Sequence, residues 1–233
     1  RSVYERAIAL THADHQRAVL AGINIIAQFG QPRRFGSRSM NRFFQILKNT
    51  EDWYIVSTIL VSISHNRELL TSERVQFLSR YRKSRSVEIR SGLQHALCGC
   101  NEALAIEILI QLSADRIGHI RDWATFALGS ATGLDNDAIR QALWERTTDT
   151  YRAAREEGIR GLAIRKDPRV KPLLVEALAN IDEQSSCILE AIEAFKDPDF
   201  ITLLEQKAAE DDTRVSKDWL LNTLERMKQD DFE

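Results

Sequence analysis

Along the second half of the chain, apolar residues recur three and four apart in short blocks, the spacing of one face of an α-helix. Lys166-Asp167-Pro168 is followed by Val170, Leu173, Leu174, Ala177 and Leu178; after 30 residues Lys196-Asp197-Pro198 is followed by Phe200, Leu203 and Leu204. Both tripeptides predict helix starts: an Asp side chain accepts from the free N–H groups of a first turn, and Pro at the first helical position loses no hydrogen bond. Ile89-Arg90 opens a block with Leu93, Ala96 and Leu97, and Ile120-Arg121, 31 residues on, opens one with Ala124, Ala127 and Leu128. A third copy near Arg155 runs through Gly158, Ile159, Gly161 and Leu162.

Self-similarity at a period of about 30 to 34 residues predicts helix pairs joined by tight turns. The pairs are expected at 13–48, 52–82, 86–112, 117–147, 150–179 and 183–210, with a last helix near 213–228. The β-branched run Ile55 to Ile63 alternates poorly and reads as a buried helix of the second pair rather than a strand. Only 4 Pro and 10 Gly interrupt the chain, in keeping with an all-α fold of about six to seven helix pairs.

The tetratricopeptide and ankyrin signatures are missing. Instead, Ile120-Arg121-Asp122-Trp123-Ala124-Thr125-Phe126-Ala127-Leu128-Gly129 resembles the short HEAT-like repeat of phycobilisome-lyase-type proteins. The segments Asp135 to Leu143 and Gly161 to Arg169 resemble further units of the same bacterial group. The resemblance holds from about 86 to 210 and implies a right-handed α-α superhelix, a solenoid with first helices on the convex side and second helices on the concave side. It is read as one repeat domain over 1–233, with divergent basic units in 1–85 and regular acidic units in 86–233.

Composition narrows the function classes. With 233 residues, 43% hydrophobic and 28% charged, the chain is an ordinary globular one. Its longest charge-free stretch, Ala18 to Pro32, is 15 residues, short of a membrane span. No secretory signal is expected, and three cysteines, two of them only two positions apart at Cys98 and Cys100, suit a reducing, cytoplasmic setting.

No catalytic constellation stands out. His12-Ala13-Asp14-His15 and the set His95, Cys98, Cys100 lack the paired motifs of a metal site, so no metal and no cofactor are expected. There is no Gly-x-Ser-x-Gly element and no phosphate loop. Asp122-Trp123 resembles the Asp and Trp used by HEAT-like DNA glycosylases, but Trp123 is expected to pack between repeats beside Ile120, Ala124 and Ala127.

Charge is uneven. Residues 1–100 carry 15 Lys+Arg against 7 Asp+Glu, and residues 101–233 carry 17 against 27, or +8 and −10. The basic part interleaves Arg33, Arg34, Arg38 and Arg42 with Phe35, Phe43 and Phe44, then adds Arg80, Arg82, Lys83 and Arg85; such a mixture is the kind that binds single-stranded nucleic acid, but core rings with a solvated rim are the preferred reading. The acidic part suits a basic protein partner drawn in by long-range attraction. The expected partner site lies on the helix near 136–147, with Trp144 as anchor beside Asp137, Arg140 and Gln141, flanked by Asp135 and Glu176. The resulting expectation is a non-enzymatic protein-binding module that grips its partner on the concave face. Within the resembled group some members act as immunity proteins, so the expected partner is a basic toxin domain. A nucleic-acid-binding protein or DNA glycosylase, and a bilin-lyase-like chaperone, are the alternatives.

Overall fold

In a computed structural model, residues 2–30, 32–210 and 214–229 are described, and among them the chain forms fourteen α-helices and no strand. The predicted pairs appear as α2 (Gln16–Gln28) with α3 (Gly36–Asn49), α4 (Trp53–Ile63) with α5 (Ser72–Leu78), and α6 (Val87–Leu97) with α7 (Ala103–Leu112). They continue as α8 (Gly118–Gly129) with α9 (Asp137–Arg146), α10 (Arg152–Ile164) with α11 (Lys171–Ala179), and α12 (Ser186–Phe195) with α13 (Asp199–Ala209), before α14 (Lys217–Gln229). The start of the last predicted helix, 213, lies outside the described residues.

One helix was not expected. α1 (Val3–Leu10) precedes the first predicted pair, capped by Ser2, whose hydroxyl accepts from the Glu5 N–H. It buries only Tyr4 and Ala7, too few positions to mark a periodic stripe. Tyr4 stacks on Phe35 at 4.2 Å between centroids, and its hydroxyl lies 3.0 Å from Ser39 Oγ.

The chain separates into two compact units, Arg1–Ala127 and Leu128–Glu233, so the division falls inside α8 rather than where the charge changes sign. The first unit holds 17 Lys+Arg against 11 Asp+Glu and the second 15 against 23, or +6 and −8.

In the first unit α1, α2, α4 and α6 pack side by side in one layer, while α3, α5 and α7 form a second layer whose members touch one another sparsely. Small residues set this difference. A Cβ on Gly92 of α6 would stand 2.9 Å from Leu60 Cβ and 3.0 Å from the Ser57 carbonyl of α4, so only glycine allows that approach. In the second unit α10 packs along α12 and against α9. Gly161 of α10 meets Gly129 so closely that an added Cβ would lie 2.7 Å from Gly129 Cα.

The repeat marks have mechanisms. Arg90, Arg121 and Arg155 each donate through Nη1 to the carbonyl six residues earlier, Ser84 O at 2.8 Å, Asp115 O at 2.9 Å and Asp149 O at 2.7 Å, fixing the turn before each first helix. Both copies of Lys-Asp-Pro place the lysine in the left-handed region, φ 52° and 55°, and in both the Asp side chain accepts from the N–H two residues on. The Lys166 ammonium then donates to the carbonyls of Ala194 and Phe195 at the end of α12, joining one copy to the helix before the next.

Gly161→Ala should therefore lower stability by about 1–3 kcal/mol, the cost of overpacking a close crossing. Gly133→Ala, where an added Cβ meets nothing within 4 Å, should leave it unchanged within about 0.5 kcal/mol. Thermal or urea unfolding followed by circular dichroism checks both; equal losses would mean that the crossing has room to relax.

Candidate functional site

The expected partner residues of the second unit fall into three places. Asn136 caps α9, its side-chain oxygen accepting from the Ile139 N–H at 3.0 Å, and α9 then presents Arg140 one turn on. Arg140 does not reach for solvent. Its Nε and Nη2 donate to both Asp135 carboxylate oxygens at 2.8 and 2.7 Å, Nη1 donates to Asp167 at 3.2 Å, and Nη2 donates again to the Arg165 carbonyl. Asp167 is buried and receives Arg169 as well, through the backbone N–H, Nε and Nη2. The Arg169 guanidinium, with Arg140 adding to it, holds the Asp167 carboxyl down at about 2. Arg140 keeps Asp135 low in the same way.

Trp144 belongs to the same cluster. Its ring is half-buried, with the Arg169 guanidinium 4.8 Å from its centroid. Asp137 and Gln141 remain on the open side of α9, Gln141 donating to Glu145 at 3.2 Å. Glu176 is exposed on α11 and lines a separate cleft of about 340 Å³, floored by Ile159 and Leu173 and crossed by Arg152, which pairs with Asp182 and Glu156. The structure thus joins Asp135, Arg140 and Trp144 into a brace between α9 and the Lys-Asp-Pro turn, and places Asp137, Gln141 and Glu176 apart from it.

The thiols are free: Cys100 is buried and Cys98 and Cys187 half-buried, and burial raises all three above the ordinary thiol range. Among the described residues no three His, Cys, Asp or Glu side chains come together in a way that could hold a metal ion. No helix among them is long and apolar enough to cross a membrane.

A surface that the sequence did not announce lies on the closely packed layer of the first unit. Trp123 is not packed between repeats as expected; it is 46% exposed, while Ile120, Ala124 and Ala127 are fully buried. At about 100° per residue, Trp123 lies roughly 65° round the helix from the centre of that buried stripe, which puts it on the rim. Its ring stands 5.2 Å from that of His95 on α6 and meets Phe126 edge-on at 5.7 Å. Across α4, Trp53 (52% exposed), Tyr54 (49%) and Val61 (42%) face outward, and Ile25 on α2 (39%) joins them. Beside Tyr54 and Val61 runs a groove of about 520 Å³, lined also by Asn24, Thr58, Ser91 and His119. Glu88 is the one charged side chain in its lining. Next to it Asp122 is half-buried, its carboxyl raised by burial and only partly offset by His119.

The only sequence trace of this surface is Trp53-Tyr54, two large rings immediately after the capping Asp52, whose carboxylate accepts from the Tyr54 and Ile55 N–H groups.

Comparison with known proteins supports the fold. No family model matches the chain. Protein YibA of Escherichia coli strain K12 is 35% identical over 94 residues, which is 40% of this chain and 33% of YibA, and YibA of the O157:H7 strain matches to the same extent. The match thus spans about a third of the length of these relatives. The crystal structure of E. coli YibA superposes with a TM-score of 0.72 over 97% of this chain and 81% of that one, at 22% identity. The all-helical arrangement is shared with it.

The Asp167 brace carries a pH signature. Its carboxyl is depressed in the folded state, so its contribution is fully present above the ordinary carboxyl pKa of 3.8 and is lost as pH falls towards about 2. Arg169 is largely exposed and screened, so about 1–2 kcal/mol of stability is at stake. Asp167→Asn should remove that part of the loss between about pH 4 and 2, at the cost of lower stability at neutral pH. Urea titrations of both proteins across this range check it; parallel pH profiles would show that Asp167 titrates alike in the folded and unfolded chains.

Proposed function

We propose that this protein is a non-enzymatic binding module that takes hold of another protein on the closely packed layer of its first unit. The reading rests on one observation: Tyr54 and Val61 line a groove whose one charged side chain is Glu88, and Trp123 stands exposed against His95 on α6, the helix that forms one wall of that groove, on a unit that carries +6 overall. Exposed apolar surface of this kind is costly unless it is used, and Trp and Tyr are the side chains most enriched among interface anchors. The helices beneath are fixed by glycine contacts, so the rings are held in place before a partner arrives and little ordering entropy is lost on binding.

As for the partner, the second unit carries −8 and Asp137 and Glu176 lie open on it. A protein with a basic surface would be drawn to it. We take a toxin domain neutralised by this chain as the specific form of the proposal, with the product of the gene immediately upstream as the candidate to express. A DNA glycosylase would need Asp122 as a reacting carboxylate; its raised, half-buried state makes this reading testable in the same material.

In co-purification and calorimetry with that candidate, Trp123→Ala and Tyr54→Ala should each weaken binding by about thirtyfold, the effect of losing an anchor worth about 2 kcal/mol, with little change in melting temperature. Unchanged affinity in both variants would remove this face from the interface. Release of bases from alkylated DNA by the wild-type chain, abolished in Asp122→Asn, would replace the binding module with an enzyme.

A further inference from the structure

The sequence offers two basic clusters in the first unit, the first interleaved with phenylalanine, and the structure treats their arginines differently. The first is consumed internally: Arg33 donates to the Ala27 carbonyl, Arg38 pairs with Glu5, and Arg42 donates to the hydroxyl and carbonyl of Thr11. The second is open. Between α3 and α5, in the sparsely packed layer, runs a groove of about 880 Å³.

Its floor is formed by Phe44 and Phe77, edge to face at 5.5 Å. The Arg80 guanidinium lies over the Phe77 ring, 3.7 Å from its centroid, and the Arg74 guanidinium lies over Phe44 at 5.3 Å. Arg74 is fixed there by donating to the Leu69 carbonyl and to Asn41 Oδ1, so the pair is preformed. Along α3, Gln45 and Lys48 stand exposed on the wall, and Gln76 faces them from α5; Glu73 is the single carboxylate of the lining. The chain leaves the groove through Arg80 into Arg82, Lys83 and Arg85, all within about 19 Å of it at ~3.8 Å per residue. Among the described residues, none of Lys48, Arg82, Lys83 and Arg85 is paired with a carboxylate.

We propose that this groove binds single-stranded nucleic acid. Two guanidinium–ring pairs side by side, Arg80 over half-buried Phe77 and Arg74 over buried Phe44, offer the arginine planes as platforms on which successive bases stack, whatever their sequence. Lys48 and the run from Arg80 to Arg85 supply cations for the backbone on either side, and the amides of Gln45 and Gln76 offer donors and acceptors to base edges. An acidic protein segment would use the cations but would leave the stacking faces idle, which decides between the two polyanions. This groove and the aromatic face proposed for a protein partner lie on different layers of the unit and use no residue in common.

Fluorescence anisotropy of a labelled oligothymidylate about 20 nucleotides long tests it with the full chain. Saturable binding is expected in ~50 mM salt, falling steeply by ~200 mM as counterions return to the phosphates. The double variant Lys48→Gln/Arg80→Gln should bind about tenfold or more weakly and lower the slope of log affinity against log salt by about 1.4, ~0.7 for each phosphate contact removed from a single strand. Both side chains are exposed, and the melting temperature should hold; Lys83→Gln/Arg85→Gln is a second variant that touches nothing packed and should lower the slope similarly. Trp123→Ala should bind the oligonucleotide as the wild type does, which separates this proposal from the protein-binding one. Absence of binding at ~50 mM salt, unchanged affinity in both double variants, or equal binding of a labelled polyglutamate peptide would each overturn it.

Discussion

Short helices that end inside a packed stack leave their last carbonyls away from water, and the protein meets this constraint with guanidinium groups. Each helix end carries up to four carbonyls with no partner in its own helix. Arg165 is buried, and its two Nη atoms donate to the carbonyls of Leu128, Gly129, Leu134 and Gly161 at 2.7 to 3.0 Å. Burial pulls its pKa down, with Asp135 acting against that, but five N–H donors on a rigid plane make arginine the side chain suited to a ring of oxygens. In the first unit Arg90 serves the turn before α6 instead, adding a two-oxygen pairing to Asp115 at 2.6 and 3.0 Å to its bond with Ser84 O. With the ends satisfied in this way, turns can be short and glycine crossings can bring neighbouring first helices into contact.

The same constraint governs which charges are available for function. Seen as composition, the chain is a basic part followed by an acidic one. Seen as structure, much of that charge is paired within the chain: Arg38 answers Glu5 at the surface, Arg90 answers Asp115 in a buried pair, Arg140 answers Asp135 and Asp167, and Arg152 answers Glu156 and Asp182. A charge that is already paired and positioned cannot be offered to a partner without breaking its present contacts. What remains for recognition is the residue types that the braces do not use: exposed rings on the first-helix layer of the first unit, unpaired lysine and arginine along α3 and after α5, and isolated carboxylates such as Asp137 and Glu176 in the second unit.

This explains what could be read from the sequence and what could not. The helix pairs were legible because their marks are local: Asp167-Pro168 and Asp197-Pro198 start helices by capping chemistry that acts within two or three residues, and Ile-Arg repeats because its arginine closes a turn six residues back. α1 escaped because two buried side chains make no stripe. On α9 the shared flank of Arg140 and Trp144 was legible, but their contacts with Asp167 and Arg169 were not, because those residues come from a turn about 25 residues further on. Trp123 differs from its buried neighbours by less than a quarter turn, an angle that periodicity cannot resolve without knowing how wide the neighbouring helix is. Contacts made through the third dimension were therefore the part hidden from a one-dimensional reading.

Rigid stacking also bears on whether two surfaces of the first unit could influence one another. The aromatic face rests on α2, α4, α6 and α8, and the basic groove on α3 and α5. α4 and α5 are successive helices of one pair, joined through a 3-10 turn over Ser64–Leu69 in which Asn66 is buried and donates to the Ala27 carbonyl. Coupling requires an element with two arrangements that both ligands bias differently. Here the connecting turn is fixed by a buried amide, the α4–α6 contact leaves no space at Gly92 for a second register, and Arg74 is held from both sides at the groove. With these elements held by their present contacts, the physical expectation is two independent sites on one scaffold, each keeping its own affinity whether or not the other is filled.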